Sequence, residues 1–168
     1  MDPGLENSAY YNPGNFTFPS SAHIVQVEVN KDTGEIEIQK YIAIEDCGNV
    51  INPMVVEGQI VGGIAQGVGQ ALYEHGIYDD DGQLVTGSML DYTMPRADNF
   101  PMIDSDRIET PSPSNSLGVK GVGEMGSISS PPAVVNAVVD ALSDYGVKHI
   151  DMPLTSEKIW NIIQTNGG

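Results

Sequence analysis

The sequence predicts an α+β fold in which a β-hairpin and further mixed strands pack with a glycine-rich helix and two C-terminal helices. Two segments of alternating apolar and polar residues predict the hairpin, and three segments with apolar residues at helical spacing predict the helices. A chain of 168 residues has the length of one ordinary domain and can bury a substantial core. We therefore divide it into an irregular N-terminal segment, residues 1–20, and one domain, residues 21–168.

The hairpin prediction rests on two stretches with a period of two. Apolar residues alternate with polar ones over residues 22–29 and again over 35–45, as in half-buried strands. Residues 30–34, which end in glycine, have the composition of a turn. Residues 103–110 form a further candidate strand. The acidic residues 79–81 lack the ligand spacing of a calcium loop, so we expect a solvated hairpin tip there.

The first predicted helix begins with Asn52 and Pro53, a good N-cap and first-turn pair, and continues to about Glu74. Each glycine inside a helix costs about 1 kcal/mol relative to alanine. Five glycines lie in this segment, namely Gly58, Gly62, Gly63, Gly67 and Gly69. Some packing interaction must offset their combined cost.

A helical projection divides this helix into three faces. An apolar face contains Ile60, Ile64, Val68 and Leu72, with Val61 and Ala71. A face with almost no side chains contains Gly58, Gly62, Ala65 and Gly69. Three glutamines form a polar stripe beside it: Gln59, Gln66 and Gln70. Two interpretations remain open, since the small face can pack against another helix or can contact a cofactor or partner chain.

Two more helices are predicted after residue 126. Ser130 and Pro131 match an N-cap and first helical position, so the second helix should run from there to about Ser143. The last helix should begin with Thr155 or Ser156 as its N-cap.

The composition limits the classes of function. The 23 acidic residues outnumber the 7 basic ones and give a net charge of −16, which argues against nucleic-acid binding. We expect no transmembrane segment and, since no secretory signal is recognisable, a cytoplasmic protein. The single Cys47 excludes an internal disulfide, and three scattered histidines with one cysteine predict no metal site built from these side chains.

Residues 118–126 form a loop with four glycines, in which Lys120 and Glu124 are the charged residues. Dense glycines let a backbone approach a ligand or another chain closely. One interpretation is that Glu124 does chemistry and that the glycines bring it near its target. The other is a flexible turn with a solvated carboxylate.

Several motifs occur together in a recurring order. They are Asp46-Cys47-Gly48, Asn52-Pro53, Glu57-Gly58-Gln59 with Gly62-Gly63, residues 66–70, Asp91-Tyr92 with residues 94–96, Gly121-Val122-Gly123-Glu124 with Pro131-Pro132-Ala133, and residues 149–155. Together they resemble the C-terminal part of the molybdopterin-binding subunit of the xanthine dehydrogenase and aldehyde oxidase family. The similarity is particular to the large subunit of aerobic, molybdenum-containing carbon monoxide dehydrogenases. It extends from about Tyr10 to Ile163.

The resemblance implies roles for matching residues. Glu124 matches the family's catalytic carboxylate beside the molybdenum, where it acts as general base. Gln59 matches a glutamine that contacts the pterin. Lys120, Gly121, Val122 and Gly123 are expected to lie near the site, through their backbone or in support of the residues that contact the cofactor. Residues 21–168 would then be a C-terminal molybdopterin-binding domain.

The resemblance also implies cofactors and partners. The cofactor would be molybdenum-molybdopterin, with the cytosine dinucleotide form left open, while FAD and iron–sulfur clusters would lie on partner subunits. The family's subunit is several times longer, so the remaining part of the molybdopterin subunit would be a partner and a small molecule the substrate. Cys47 does not match the copper-ligating cysteine of carbon monoxide dehydrogenases, and we expect it to be a buried, inert thiol.

Two hypotheses of different classes follow. In the first, the chain is a fragment or split subunit of a molybdenum hydroxylase that supplies Glu124 and part of the molybdopterin pocket, and it is inactive alone. In the second, it is a non-catalytic binding or assembly module that retains the fold.

Overall fold

The computed structural model of the protein describes residues 4–166 and confirms the α+β fold. The strands are β1 (Ser20–Val29), β2 (Ile36–Asp46) and β3 (Ile103–Arg107). The helices are α1 (Pro53–Leu72), α2 (Met125–Ala141) and α3 (Ser156–Asn166), with short 3-10 segments at Ala97–Asn99 and Ser143–Tyr145. Among these residues, no helix has the length and apolar character needed to span a membrane.

The described strands form one mixed sheet in the order β1-β2-β3. β1 and β2 are antiparallel, with Ser20 opposite Asp46 and Val29 opposite Ile36, which confirms the hairpin. β3 lies parallel to β2 and confirms the third candidate strand, although it ends at Arg107 rather than at residue 110. The turn between β1 and β2 requires glycine because Gly34 adopts φ 73° against the backbone of α3.

α1 begins as predicted, because the Asn52 side chain accepts a hydrogen bond from the Val55 N–H and Pro53 follows it. Its apolar face is buried in the core, chiefly against α2, with the exception of Val61, which is 38% exposed. The buried members are Ile60, Ile64, Val68, Ala71 and Leu72. The three glutamines of the polar stripe are exposed.

The close helix contact does not use the small face that the projection indicated. Gly58 and Gly62 are exposed, and a Cβ built on either would meet nothing within 4 Å. α1 instead packs on α2 through Gly63 and Gly67, which face Gly126 and its neighbours. Of the two interpretations of the small face, packing against another helix is therefore wrong for Gly58 and Gly62. Gly63 and Gly67 lie next to the apolar face, where the two backbones can approach while the larger side chains fill the core around them.

The predicted start of α2 was also wrong. The helix begins at Met125 with Glu124 as its N-cap, so Pro131 and Pro132 lie inside it. The Ser130-Pro131 pair looked like a start because proline lacks the N–H that an interior helical position donates. The two missing hydrogen bonds are offset by the close packing of the first turns of α2, including buried Gly126 and Ser130, against α1.

The remaining predictions concern shorter segments. α3 is capped by Thr155, whose hydroxyl accepts a hydrogen bond from the Lys158 N–H at 3.3 Å. A single bridge pairs Tyr78 with Leu84, and the acidic residues between them are exposed, so the solvated hairpin tip is confirmed. Residues 4–19 contain no helix or strand and are largely exposed.

Candidate active site

The glycine loop is attached along its first half to the end of β2. The Lys120 N–H donates to the Cys47 carbonyl at 2.8 Å, and the Asn49 N–H donates to the Gly118 carbonyl at 3.1 Å. Position 118 requires glycine for two reasons. Its φ of 67° lies in the left-handed region, and a Cβ there would lie 2.8 Å from the Asn49 side-chain amide nitrogen. The loop is therefore an ordered connection and not a free turn at this end.

Glu124 lies where this loop becomes α2. Its carbonyl accepts a hydrogen bond from the Ile128 N–H at 3.0 Å, while its side chain is exposed and makes no capping hydrogen bond to the helix. The residue is thus fixed through its backbone, while its side chain is exposed. An acidic side chain in this position is accessible to a group that lies outside the chain.

Gln59 and Gly123 lie next to each other across the two helices. A Cβ built on Gly123 would be 3.9 Å from the Gln59 side-chain oxygen. Gln59 is exposed, as are Gly123 and Glu124. The structure therefore brings two of the predicted site regions together: the start of α1 and the glycine loop.

Gly121 and Val122 belong to the glycine loop and are held in different ways. The Gly121 N–H donates to the Thr17 carbonyl at 3.0 Å, so the N-terminal segment contacts the loop. Val122 is partly buried against the core. Of the predicted loop residues, Gly121 and Gly123 have exposed backbone, whereas Val122 contributes mainly to packing.

Sequence reasoning missed a near-buried ion pair beside the loop. The Lys120 ammonium lies 3.0 Å from Asp46 Oδ2, with the two side chains 15% and 11% exposed. Burial alone would raise the pKa of Asp46, but hydrogen bonds from Gly48, Thr110 and Lys120 hold that pKa well below its usual range. Both residues lie in motifs of the sequence, but their separation of 74 residues gave no sign of the pair.

A buried polar cluster under α2 was missed as well. His23 contacts Glu45 Oε1 through Nε2 and the Tyr41 hydroxyl through Nδ1, both at 2.8 Å, and the Glu45 and Tyr41 side chains are fully buried. Burial strongly raises the pKa of Tyr41. The second oxygen of Glu45 and the Ser130 hydroxyl have no hydrogen-bond partner among the described residues. A histidine within a strand of alternating pattern, opposite a strand with its own glutamate, was the available signal.

Cys47 is 4% exposed, which confirms that it is a buried thiol. Burial raises its pKa, so the thiol form is favoured over the reactive thiolate. Within residues 4–166, no three histidine, cysteine, aspartate or glutamate side chains gather in the arrangement of a metal site.

The exposed surface around Gln59 and Glu124 suits a large polar cofactor. The Gln59 amide offers donors and an acceptor to a pterin, and the open faces of Gly58 and Gly62 leave room beside it. The start of α2, which no side chain caps, carries the partial positive charge of a helix N-terminus and favours negatively charged oxygens. The residues present therefore fit one side of a molybdopterin site.

The family of the molybdopterin cofactor-binding domain matches residues 1–101, which include Gln59 but end before Glu124.

Curated relatives match nearly the whole chain. The carbon monoxide dehydrogenase large chain of Hydrogenophaga pseudoflava is 40% identical over 164 residues, which are 98% of this chain and 20% of that protein. The nicotine 6-hydroxylase large subunit of Paenarthrobacter nicotinovorans is 45% identical over 159 residues, which are 95% of this chain and 20% of that protein. The chain spans about a fifth of the length of these relatives.

Solved structures agree with the sequence matches. The Cu,Mo-containing carbon monoxide dehydrogenase superposes with a TM-score of 0.94 at 35% identity, covering 99% of this chain and 21% of that one. Quinoline 2-oxidoreductase from Pseudomonas putida 86 superposes with a TM-score of 0.90 at 44% identity, covering 99% and 22%. The chain belongs to the molybdopterin cofactor-binding domain family.

Proposed function

We propose that this chain is the C-terminal part of the large subunit of a molybdenum hydroxylase, in which it supplies the active-site glutamate and one side of the molybdopterin pocket. The observation that carries the proposal is the juxtaposition of Gln59 with Gly123, which precedes Glu124, on an exposed surface. Two groups with complementary tasks, cofactor binding and proton transfer, therefore lie on adjacent elements. In this proposal, residues 21–168 form the cofactor-binding domain, and residues 1–20 form an irregular segment that precedes it.

Gln59 would hold the pterin through its amide, and the backbone of Gly121 and Gly123 would allow the cofactor to approach the loop closely. Val122 would fix the loop from beneath, because its side chain is partly buried against the core. When bound, the molybdenum cofactor would supply the redox chemistry by which substrate is oxidised with water as the oxygen source. The proposal leaves open whether the cofactor takes the cytosine dinucleotide form.

Glu124 would act as the general base. Its carboxylate oxygen would accept a proton from the water-derived hydroxyl group that attacks the substrate. The backbone hydrogen bond from Ile128 and the packing of α2 on α1 fix the residue that carries this carboxylate. A general base works best when its pKa lies near the working pH, which for a glutamate requires desolvation. Glu124 is exposed in this chain, so the cover that desolvates it would come from the rest of the subunit.

This incompleteness supports three further elements of the proposal. The chain alone would be inactive, because its site faces solvent and its relatives are about five times longer. The missing part of the large subunit would bind over Gln59 and Glu124, while iron–sulfur and flavin subunits would carry electrons away. The assembled enzyme would be cytoplasmic and would oxidise carbon monoxide, an aldehyde or a nitrogen heterocycle.

Purification of the chain from its native source under mild conditions tests this assembly. We expect a longer molybdopterin subunit and an iron–sulfur protein to co-purify, with molybdenum present in the complex. The alternative, a non-catalytic binding or assembly module, expects stable partners that contain neither molybdenum nor iron–sulfur clusters. Mass spectrometry of the partners together with metal analysis distinguishes the two, and a molybdenum-free complex would overturn the proposal.

A further inference from the structure

The ion pair between Asp46 and Lys120 joins the end of β2 to the glycine loop. Its 3.0 Å separation and the low exposure of both side chains distinguish it from the Lys40–Asp104 pair, which spans 3.7 Å with side chains 54% and 63% exposed. A pair that is largely shielded from solvent is screened less than a surface pair and is more sensitive to loss of one partner.

Asp46 is itself held at a fixed point. Its second carboxylate oxygen accepts hydrogen bonds from the Gly48 N–H at 2.9 Å and from the Thr110 N–H at 3.1 Å. These contacts tie together the end of β2 and the segment after β3. The Lys120 ammonium therefore binds to a carboxylate that three chain segments share, and not to a mobile surface acid.

Beyond Lys120, the loop is fixed by the Val122 side chain, which is partly buried against the core, and by the start of α2. Residues 121–124 separate Lys120 from the start of α2, and two of these four residues are glycines, whose backbones have the greatest conformational freedom. The far end is held because α2 packs closely on α1 at Gly126. At the near end, two backbone hydrogen bonds accompany the ion pair. The Lys120 N–H donates to the Cys47 carbonyl, and the Gly121 N–H donates to the Thr17 carbonyl.

We infer that Lys120 is a positioning residue, whose ion pair with Asp46 fixes the near end of the loop that presents Glu124. The inference rests on the proposed function in so far as Glu124 is the group being positioned. The anchoring itself is a property of the loop and can be measured without any turnover. Loss of the pair would release residues 119–123 while leaving the sheet and the α1–α2 contact in place.

Hydrogen exchange of the loop amides, measured on the protein in its native assembly, tests this inference. The amides of Val119, Lys120 and Gly121 each donate a hydrogen bond and should be protected in the wild-type protein. In Lys120→Met, which keeps a similar side-chain length without the charge, we expect these amides to exchange at least about tenfold faster. Lys120→Arg restores the charge and should recover most of the protection. The same loss is expected for Asp46→Asn.

The matched control is Lys40→Met, which removes the lysine of the exposed Lys40–Asp104 pair. It should leave exchange in residues 119–121 unchanged. A uniform acceleration across the β1–β2 sheet in Lys120→Met, or unchanged exchange in the loop, would overturn the positioning role. The positioning role and the proposed function can fail separately. Fast loop exchange in Lys120→Met would support the positioning role of Lys120, even if full turnover in Glu124→Gln refuted the proposed function.

Discussion

Gly63 and Gly126 face each other where α1 crosses α2, and a Cβ built on Gly63 would lie 3.1 Å from the Gly126 Cα. The backbones are therefore as close as glycine permits. This contact offsets part of the helix-propensity cost of the glycines in α1, because it lets two long helices bury their apolar faces together. It also fixes the start of α2, where Glu124 is the N-cap residue with an exposed side chain.

The first prediction concerns this crossing. Gly63→Ala should lower the free energy of unfolding by about 1–3 kcal/mol, because the added methyl group lies 2.9 Å from the Ser127 backbone nitrogen and forces the helices apart. Gly62→Ala is the matched control one residue away, since nothing lies within 4 Å of its Cβ, and it should raise stability by up to about 1 kcal/mol. Urea unfolding of the two variants checks the difference. Equal effects of the two substitutions would contradict the crossing geometry.

The second prediction concerns the buried pair of His23 and Glu45. His23→Ala should destabilise the protein by about 3–5 kcal/mol, because it leaves the fully buried Glu45 carboxylate without its partner. His149→Ala provides a control, since the His149–Asp151 contact of 2.9 Å is similar in length to the 2.8 Å His23–Glu45 contact but is largely exposed. Thermal unfolding should show a large shift in midpoint for the first variant and little for the second. A small shift in both would contradict the contribution of the His23–Glu45 contact to stability.

The third prediction follows from the lowered pKa of Asp46. An aspartate in an unfolded chain has a pKa of about 3.9. Because the folded pKa lies below this value, the unfolded state binds the proton more readily, and the stabilisation from Asp46 is complete above about pH 4 and is lost as the pH falls further. Unfolding free energies measured across this acidic range should therefore fall less steeply in Asp46→Asn than in the wild type.

Asp104→Asn is the control for the acidic series, because its partner Lys40 is exposed and the pair is weak. Its slope should match that of the wild type. Identical slopes for all three proteins would show that Asp46 is not held in its charged form by Gly48, Thr110 and Lys120.

The fourth prediction concerns the thiol of Cys47. Because the side chain is 4% exposed and burial raises its pKa, the folded protein should react with a thiol reagent only as fast as it opens. Addition of denaturant should accelerate the labelling to the rate of a free cysteine. Rapid labelling of the native protein at neutral pH would contradict the assignment of an inert thiol.

The parts of the fold that depend on local pattern were predictable from the sequence. The alternation in β1 and β2 predicted the hairpin, and Asn52 with Pro53 predicted the start of α1. The start of α2 was not predictable in this way. Pro131 indicated a helix start, but the helix begins six residues earlier, at Met125, where Gly126 packs closely on α1. Local signals cannot report such long-range contacts.

The candidate site divides in the same way. The glycine loop and Gln59 were visible as motifs, and the structure places the Gln59 side chain beside Gly123. The ion pair of Asp46 with Lys120 joins residues 74 positions apart, so spacing carried no information about it. The sequence likewise carries no signal for the cover that we propose over Glu124, whose side chain is exposed in this chain.

Turnover of the assembled molybdenum enzyme with Glu124→Gln tests the central claim most directly. Glutamine keeps the size of the side chain but cannot act as the base, so we expect turnover of carbon monoxide, an aldehyde or a nitrogen heterocycle to fall by at least about 100-fold with molybdenum content unchanged. Glu157→Gln, at an exposed acid in the first turn of α3, should retain full activity. Wild-type turnover in Glu124→Gln with molybdenum still bound would contradict the assignment of Glu124 as the general base.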